Sequence, residues 1–269
     1  GVSVADVDIA TDARPETVTR LAEAAGLRVV PTGIEHGTVT VIAGGVPHEV
    51  TTFRRDVETD GRRAVVAFAQ DVAEDAARRD FTMNALYADL RGNVIDPLGG
   101  LPDLVARRLR FVGDAHQRIR EDYLRILRFF RFHAHYGDPD QGMDAEALAA
   151  SAELAEGVDG LSRERIGSEI RKLLAAPDPA PAVAAMAQAG VLARVLPGSD
   201  TRALAPLVHL EGDLPPRWQR RLAALGGQEV EERLRLSRAD AKAVAWAQQA
   251  LRGLGLEQVR AMLEATPLP

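Results

Sequence analysis

Two aspartates, Asp6 and Asp8, stand two residues apart in VADVDIA (4–10), a segment otherwise rich in β-formers. Side chains at positions i and i+2 of a strand point to the same face, about 6–7 Å apart along the backbone. Two carboxylates at that separation can share a divalent cation, and oxygen ligands suit Mg²⁺. Glu49, in the strand-like segment HEVTTF, would add a third carboxylate if that strand lies beside the first. A solvent-facing glutamate that alternates with Val50 is the other interpretation.

A second group of charged residues lies in RRDFTMNAL (78–86). Arg78 and Arg79 precede a predicted helix over 79–88, for which Asp80 and Thr82 are N-cap candidates. Because helix N-termini favour anions, this arrangement predicts a phosphate beside the two arginines. Asn84 would hydrogen-bond backbone or a sugar hydroxyl, and Asp80 would otherwise only cap the helix.

The third group lies in EDYLRILRFFRF (121–132), on a single helix predicted over 116–136. Asp122, Arg125, Arg128 and Arg131 are spaced by three, so they form one ridge of that helix. Large apolar residues fill the other positions, which predicts that some of the charges are partly buried. A rigid Asp–Arg pair presents the acceptors and donors needed to recognise the edge of a base; an ordinary intrahelical salt bridge is the alternative.

The elements that position these residues follow from local patterns. Residues 1–100 alternate strand-like and helical segments, with a helix from Pro15 to Gly26 and another near 71–77. The polar segment 56–64 predicts a mobile loop, since Asp60-Gly61 is a turn signal. Beyond Leu101, helical periodicity dominates apart from a strand-like LRFV at 109–112. One of these helices, over 162–174, carries a basic side (Arg163, Arg165 and Arg171), for which a scaffolding role is the main interpretation.

Composition narrows the class of protein. The 269 residues include no cysteine, so disulfides and thiolate metal sites are excluded. No apolar run approaches the roughly 18 residues of a membrane span, and no signal peptide is evident, so we expect a cytoplasmic protein with no membrane partner. The net charge is −6, but Arg107–Arg131 holds eight arginines against three acidic residues, a candidate phosphate-binding surface. Nothing in the sequence sets the oligomeric state.

Taken together, the motifs resemble those of the class II tRNA nucleotidyltransferases, the family of CCA-adding enzymes and bacterial poly(A) polymerases. The resemblance covers about residues 4–175. The matching segments are DVDIAT (6–11), PTGIEHGTVTV (31–41), EVTTFRRD (49–56), DGRRAVVAF (60–68), EDAARRDFTMNALY (74–87), DPLGGLPDL (96–104), LRFVGD (109–114), REDYLRILRFFRF (120–132) and LSRERI (161–166).

This resemblance implies an α+β fold with a polymerase-β-type nucleotidyltransferase head and a small mixed sheet, followed by an all-helical neck, body and tail. It places the catalytic head at 1–100, a neck with the nucleotide-template helix at 101–175, and a body and tail, as a tRNA-binding arm, at 176–269. Family members carry a Gly-rich phosphate-binding turn and a further strand ahead of the Asp pair. We expect this chain to lack both.

The same resemblance assigns roles to individual residues. Asp6 and Asp8 would bind two Mg²⁺ ions, with Glu49 nearby. Arg79 and Asn84 would contact the nucleotide, and Asp122 and Arg125 would pair with the base of CTP or ATP. The supporting residues would be Glu121, Arg128 and Arg131, and a flexible loop would contain Asp60, Arg62 and Arg63.

The predicted activity is addition of CCA to tRNA 3′ ends from CTP and ATP. Two alternatives stay open. A poly(A) polymerase would use the same chemistry on broader RNA, which the acidic charge and the lack of a basic tail disfavour. A catalytically silent tRNA- or nucleotide-binding fragment is the alternative from another class.

Overall fold

The computed structural model describes residues 7–60 and 63–253. The chain divides into two compact units, Gly1–Pro102 and Asp103–Pro269. The first unit contains a small mixed sheet with short helices and the second is built from helices, so the predicted α+β head and helical region are confirmed. None of the helices in the described ranges is both long enough and apolar enough to cross a membrane.

The sheet of the first unit has four strands in the order β1-β4-β3-β2. Its strands are β1 (Ile9–Thr11), β2 (Arg28–Gly33), β3 (Thr38–Ala43) and β4 (Val46–Thr52). The edge strand β1 runs parallel to β4, whereas β4, β3 and β2 are antiparallel neighbours. Helix α1 (Pro15–Ala24), which starts with a proline as predicted, packs against β2 and β3 and covers the buried Val39 and Val41.

The predicted loop at 56–64 is wrong, because most of it forms a β-hairpin. Strands β5 (Arg54–Asp60) and β6 (Arg63–Phe68) are antiparallel, and Asp60 pairs with Arg63. An Asp-Gly step is a turn signal that occurs in loops and also in tight hairpins. The polar composition obscured the alternation of β-branched residues, Val57 and Thr59, that favours a strand.

The predicted helix over 79–88 is also wrong. Helix α2 (Val72–Ala77) ends before it, Thr82–Asn84 forms a single 3-10 turn, and a small hairpin of β7 (Tyr87–Ala88) and β8 (Val94–Ile95) follows. The Asp80 carboxylate accepts hydrogen bonds from the backbone N–H of Phe81 and from Asn84 Nδ2, both at 3.0 Å. Such local side-chain bonds compete with helix formation.

Gly100 explains part of the shape of that turn. The carboxylate of Asp96 accepts hydrogen bonds from the backbone N–H groups of Gly100 and Leu101, which brings Gly100 against the 3-10 turn. A Cβ on Gly100 would lie 2.2 Å from the carbonyl oxygen of Thr82. Only glycine fits at this distance, so the DPLGG segment and the RRDFTMN turn fix each other's position.

The helices from residue 101 onward cover most of the remaining chain. They are α3 (Leu101–Val105), α4 (Ala115–Glu121), α5 (Leu124–Tyr136), α6 (Ala145–Glu153), α7 (Arg163–Leu174), α8 (Ala180–Gln188), α9 (Val191–Val195), α10 (Leu204–Glu211), α11 (Trp218–Leu225), α12 (Val230–Arg233) and α13 (Arg238–Gly253). The strand-like segment 109–112 lies outside the named strands. Its alternation reflects burial, since the side chains of Leu109 and Phe111 are in the core.

The single helix predicted over 116–136 is interrupted. Asp122 has an extended backbone (φ −157°, ψ 105°) between α4 and α5. Its Oδ1 accepts a hydrogen bond from the backbone N–H of Leu124 at 3.1 Å, so the aspartate ends one helix and starts the next. Asp122 therefore does not lie on the same helical ridge as Arg125, Arg128 and Arg131.

Helix α5 is the centre of the second unit's core, and it packs against α7 and α8. Phe129 stacks on Phe111 with a centroid distance of 5.9 Å, and both rings are buried. Helix α7 has a second close neighbour, because a Cβ on Gly167 would lie 2.0 Å from the carbonyl oxygen of Leu234. The glycine thus lets the backbone after α12 rest directly on α7.

Candidate functional site

Two of the three carboxylates of the predicted metal site, Asp8 and Glu49, lie at the edge of the four-stranded sheet. Asp6 lies outside the described residues, while Asp8 immediately precedes β1 and is exposed. In the parallel pairing of β1 with β4, Ile9 is opposite Val50, so the same register brings Asp8 beside Glu49. Glu49 could act as a neighbouring carboxylate only if its strand lies beside the strand that follows Asp8. The pairing of β4 with β1 meets this condition.

This edge suits a hard divalent cation. Asp8 and Glu49 are both exposed and offer carboxylate oxygens on the same side of the sheet, which is the donor type that Mg²⁺ prefers. Within the part of the chain that the structure describes, no group of three or more His, Asp or Glu residues is placed to hold a metal ion. The remaining carboxylate of the predicted site, Asp6, is not among these residues.

A buried carboxylate that the sequence analysis missed, Asp75, organises the first unit. Its two oxygens accept hydrogen bonds from the backbone N–H of Arg54 (3.1 Å), Arg78 Nε (2.8 Å), Arg79 Nη2 (3.0 Å) and the Tyr87 hydroxyl (2.7 Å). Asp75 sits three and four residues ahead of the two arginines, which is the spacing of helical ion pairs. This spacing in the sequence could have indicated that Asp75 pairs with the two arginines.

These contacts change the proton affinities of the cluster. Burial alone would raise the pKa of the Asp75 carboxyl, but the Tyr87 hydrogen bond and the charges of Arg78 and Arg79 together lower that pKa below its ordinary value. Burial and the hydrogen bond to Asp75 raise the pKa of Tyr87 to about 12. Asp75 thus contributes stability above its ordinary pKa and loses it as the pH falls through the lowered one. The contribution of Tyr87 to stability depends on pH in the opposite direction, because its pKa is raised. That contribution is present below the ordinary pKa of tyrosine and is lost as the pH rises through about 12.

We expect Tyr87 to ionise about two pH units above an ordinary tyrosine, whose pKa is about 10. The measurement is an alkaline titration of tyrosinate absorbance in the wild type and in Tyr87→Phe, with circular dichroism to show that the fold persists. The difference between the two curves isolates Tyr87 from Tyr123 and Tyr136. A difference curve centred near pH 10 would contradict the buried Asp75–Tyr87 hydrogen bond.

Arg79 is held by this cluster and still reaches solvent. Besides its bond to Asp75, its guanidinium lies over the Tyr87 ring at 5.7 Å, and its side chain is 38% exposed. Asn84 is half-buried and donates to Asp80, as described above. Because no α-helix begins at Asp80, the expected anion site at a helix N-terminus is wrong. An oriented, partly exposed Arg79 is what the geometry offers in its place.

The break between α4 and α5 brings together the residues predicted to recognise the base. Asp122 Oδ2 accepts from Arg165 Nη2 at 2.6 Å, and Arg125 Nη1 donates to Glu121 Oε2 at 2.5 Å and to the carbonyl oxygen of Arg118 at 2.8 Å. Asp122 and Arg125 therefore have separate partners, and the intrahelical salt bridge between them is not formed. Glu121 contacts the arginine of the predicted pair.

Both predicted supporting arginines, Arg128 and Arg131, contact other side chains of the helical unit. Arg131 Nε donates to Glu169 Oε2 at 2.6 Å, a largely buried ion pair between α5 and α7. The guanidinium groups of Arg128 and Arg131 lie over the Phe132 ring at 5.1 and 4.3 Å. In the predicted flexible loop, Asp60 ends β5 and Arg63 begins β6, while Arg62 lies outside the described residues.

Comparisons with known proteins match both units. Residues 1–110 match the family model "Poly A polymerase head domain", and residues 142–202 match "Probable RNA and SrmB-binding site of polymerase A". The mitochondrial CCA tRNA nucleotidyltransferase 1 of Mus musculus is 46% identical over 175 residues, which are 65% of this chain and 40% of that protein. A CCA-adding enzyme of Streptococcus gordonii is 40% identical over 252 residues, 89% of this chain and 61% of that protein.

The structural comparison agrees with these sequence matches. The crystal structure of the Bacillus stearothermophilus CCA-adding enzyme in complex with CTP aligns with a TM-score of 0.76 and 30% identity. The alignment covers 98% of this chain and 71% of that one. The chain spans about two-fifths of the length of its mouse relative and about three-fifths of the streptococcal one.

Proposed function

Because the chain belongs to the class II tRNA nucleotidyltransferase family, we propose that it adds C, C and A to tRNA 3′ ends from CTP and ATP by template-independent, Mg²⁺-dependent nucleotidyl transfer. The observation that supports the choice of nucleotide is the separate anchoring of Asp122 and Arg125 at the start of α5. An acceptor and a donor held apart in this way match one class of base edge.

The chemistry of the bases explains why this arrangement favours cytosine and adenine. Both bases carry an exocyclic amino group that donates hydrogen bonds, whereas uracil and guanine carry a carbonyl oxygen at the equivalent position. Asp122 accepts from the amino group, and Arg125 donates to the adjacent ring nitrogen. Arg125 has five N–H donors, and its two contacts engage only Nη1, so donors remain for a base. A protein side chain thus takes the place of a template base.

The first unit would supply the reacting groups. Asp6, Asp8 and Glu49 would provide the carboxylates for Mg²⁺, which would neutralise the triphosphate and lower the pKa of the attacking 3′-hydroxyl. Arg79, oriented by Asp75 and Tyr87, would donate to the nucleotide, and half-buried Asn84 would hydrogen-bond a sugar hydroxyl. The hairpin that contains Asp60, Arg62 and Arg63 would assist the change from C to A addition.

The proposed division of labour follows the chain. Residues 1–100 would form the catalytic head, residues 101–175 the neck with the nucleotide-recognising residues, and residues 176–269 a body and tail that bind tRNA. The boundary between the two compact units, at Pro102–Asp103, supports the first of these limits. The match of residues 142–202 to an RNA-binding family model supports contact between the helical region and RNA.

Incorporation of radiolabelled CTP and ATP tests the proposal. Three acceptors are compared in the presence of Mg²⁺: tRNA that lacks CCA, tRNA that ends in CC, and an unrelated RNA. We expect C followed by A on the first, A alone on the second, and nothing on the third. Long A-tails on the unrelated RNA would indicate a poly(A) polymerase instead. Binding of nucleotide and tRNA without incorporation would indicate a silent binding fragment.

A further inference from the structure

Arg165 occupies an unfavourable place in its own helix. It lies in the first turn of α7, whose N-cap is Ser162. The positive end of the helix dipole disfavours a cation there. The side chain leaves the helix and donates to Asp122 Oδ2 from Nη2, 43 positions away in the sequence. The partner of Arg165 is therefore a residue outside α7, Asp122.

The ion pair adds little to the stability of the fold. Arg165 and Asp122 are 26% and 25% exposed, and pairs with this access to water contribute little net stability. The ion pair instead fixes the orientation of the Asp122 carboxylate. With Oδ1 held by Leu124 and Oδ2 held by Arg165, both carboxylate oxygens have a defined direction. A carboxylate has about four lone-pair sites, so two acceptor sites remain for a ligand.

Arg165 also keeps the acceptor away from the donor. Asp122, whose backbone is extended just ahead of α5, and Arg125, in the first turn of α5, carry opposite charges close together in the sequence and could form an ion pair. Such a pair would use up the groups that recognise a base. In the structure each has a different partner, since Glu121 holds Arg125 and Arg165 holds Asp122. The two anchors together leave the acceptor and the donor unpaired with each other, so that both can contact a base.

We infer that Arg165 is a positioning residue that sets the choice of C and A over U and G by holding Asp122 away from Arg125. This inference rests on the proposed function. Arg165 does not need to touch the nucleotide. It acts through the direction of the Asp122 carboxylate, and its loss allows Asp122 to turn toward Arg125.

The test compares Arg165→Ala with Arg163→Ala. Arg163 is a matched control, because it lies in the same turn of α7 and forms an ion pair with Glu232 instead of Asp122. For Arg165→Ala we expect the KM for CTP and ATP to rise about tenfold and the preference over UTP and GTP to fall about tenfold, the size expected for one charge-assisted hydrogen bond. The KM for tRNA and the thermal unfolding midpoint should stay unchanged. Arg163→Ala should match the wild type.

A conservative variant and a binding measurement keep the outcomes distinct. Arg165→Lys keeps the charge and should restore part of the preference; it carries the test if the alanine variant does not fold. Equilibrium binding of CTP and UTP is measured alongside incorporation. A wild type that prefers CTP together with an Arg165→Ala variant that keeps this preference would overturn the role of Arg165 alone. A wild type without any preference would overturn the proposed function and the inference with it.

Discussion

Replacing Asp8 with asparagine should lower the rate of nucleotide incorporation at least about a hundredfold. The variant removes one negative charge from the sheet edge where the register brings Asp8 beside Glu49. A divalent cation at such a site contributes several kcal/mol of transition-state stabilisation, and each 1.4 kcal/mol corresponds to about a tenfold change in rate. The fold should be unaffected, since Asp8 is exposed. The measurement is single-turnover incorporation of CTP into tRNA that lacks CCA.

Asp12→Asn is the matched control for this prediction. Asp12 is an exposed aspartate just beyond the other end of β1, so the substitution makes the same chemical change at the opposite end of the same strand. We expect its rate to lie within about twofold of the wild type, because exposed surface substitutions rarely disturb a distant site. Equal rates for Asp8→Asn and the wild type would remove Asp8 from the metal site.

Replacing Glu211 with alanine should lower the free energy of unfolding of the helical unit by about 3–5 kcal/mol. Glu211 is 2% exposed and accepts from Arg220 Nε at 2.7 Å and from Arg221 Nη2 at 2.7 Å. Both arginines are themselves buried. Removal of the carboxylate leaves two buried cations without the negative charge that balances them, which is why the loss exceeds the net strength of either ion pair.

Arg221 makes this cluster structural over a wider region. Its guanidinium also donates to the carbonyl oxygens of Leu174, Ala176 and Pro177, so it satisfies the C-terminal end of α7 and the turn after it. Urea unfolding followed by tryptophan fluorescence measures the effect, since Trp218 begins the helix that carries both arginines. Glu231→Ala, at an exposed glutamate, is the control. A loss below about 1 kcal/mol for Glu211→Ala, the level of an exposed pair, would contradict the prediction.

Local patterns in the sequence predicted most elements of the fold. Pro15 at the start of α1, the β-branched residues of β3 and the Ser162 cap of α7 act within a few positions of themselves, so their signals survive without tertiary information. The errors arose where a local side-chain bond overrides periodicity. Asp80 and Asp122 each accept from a backbone N–H one or two residues later, and each interrupts a helix that spacing alone predicts.

The candidate site was predicted by residue type and only in part by geometry. Asp122 and Arg125 could be singled out because charge and large apolar residues coincide around them. Their partners could not be assigned, since Arg165 lies 43 positions from Asp122 and nothing in the local sequence links the two. Asp75 was within reach, because its spacing to Arg78 and Arg79 is local. Its burial and its bond to Tyr87 depend on the packing of β7, which no local pattern specifies.

The contact at Gly167 sets a lower limit on how much chain is required by the residues that we propose to recognise the base. Helix α7 carries both Arg165 and Glu169, the partners of Asp122 and Arg131, and its backbone rests on the carbonyl oxygen of Leu234. A shortened form that ends before Leu234 would keep every residue proposed to touch the nucleotide and lose the support beneath the helix that orients them. The smallest autonomous piece of this protein is therefore longer than its active residues suggest.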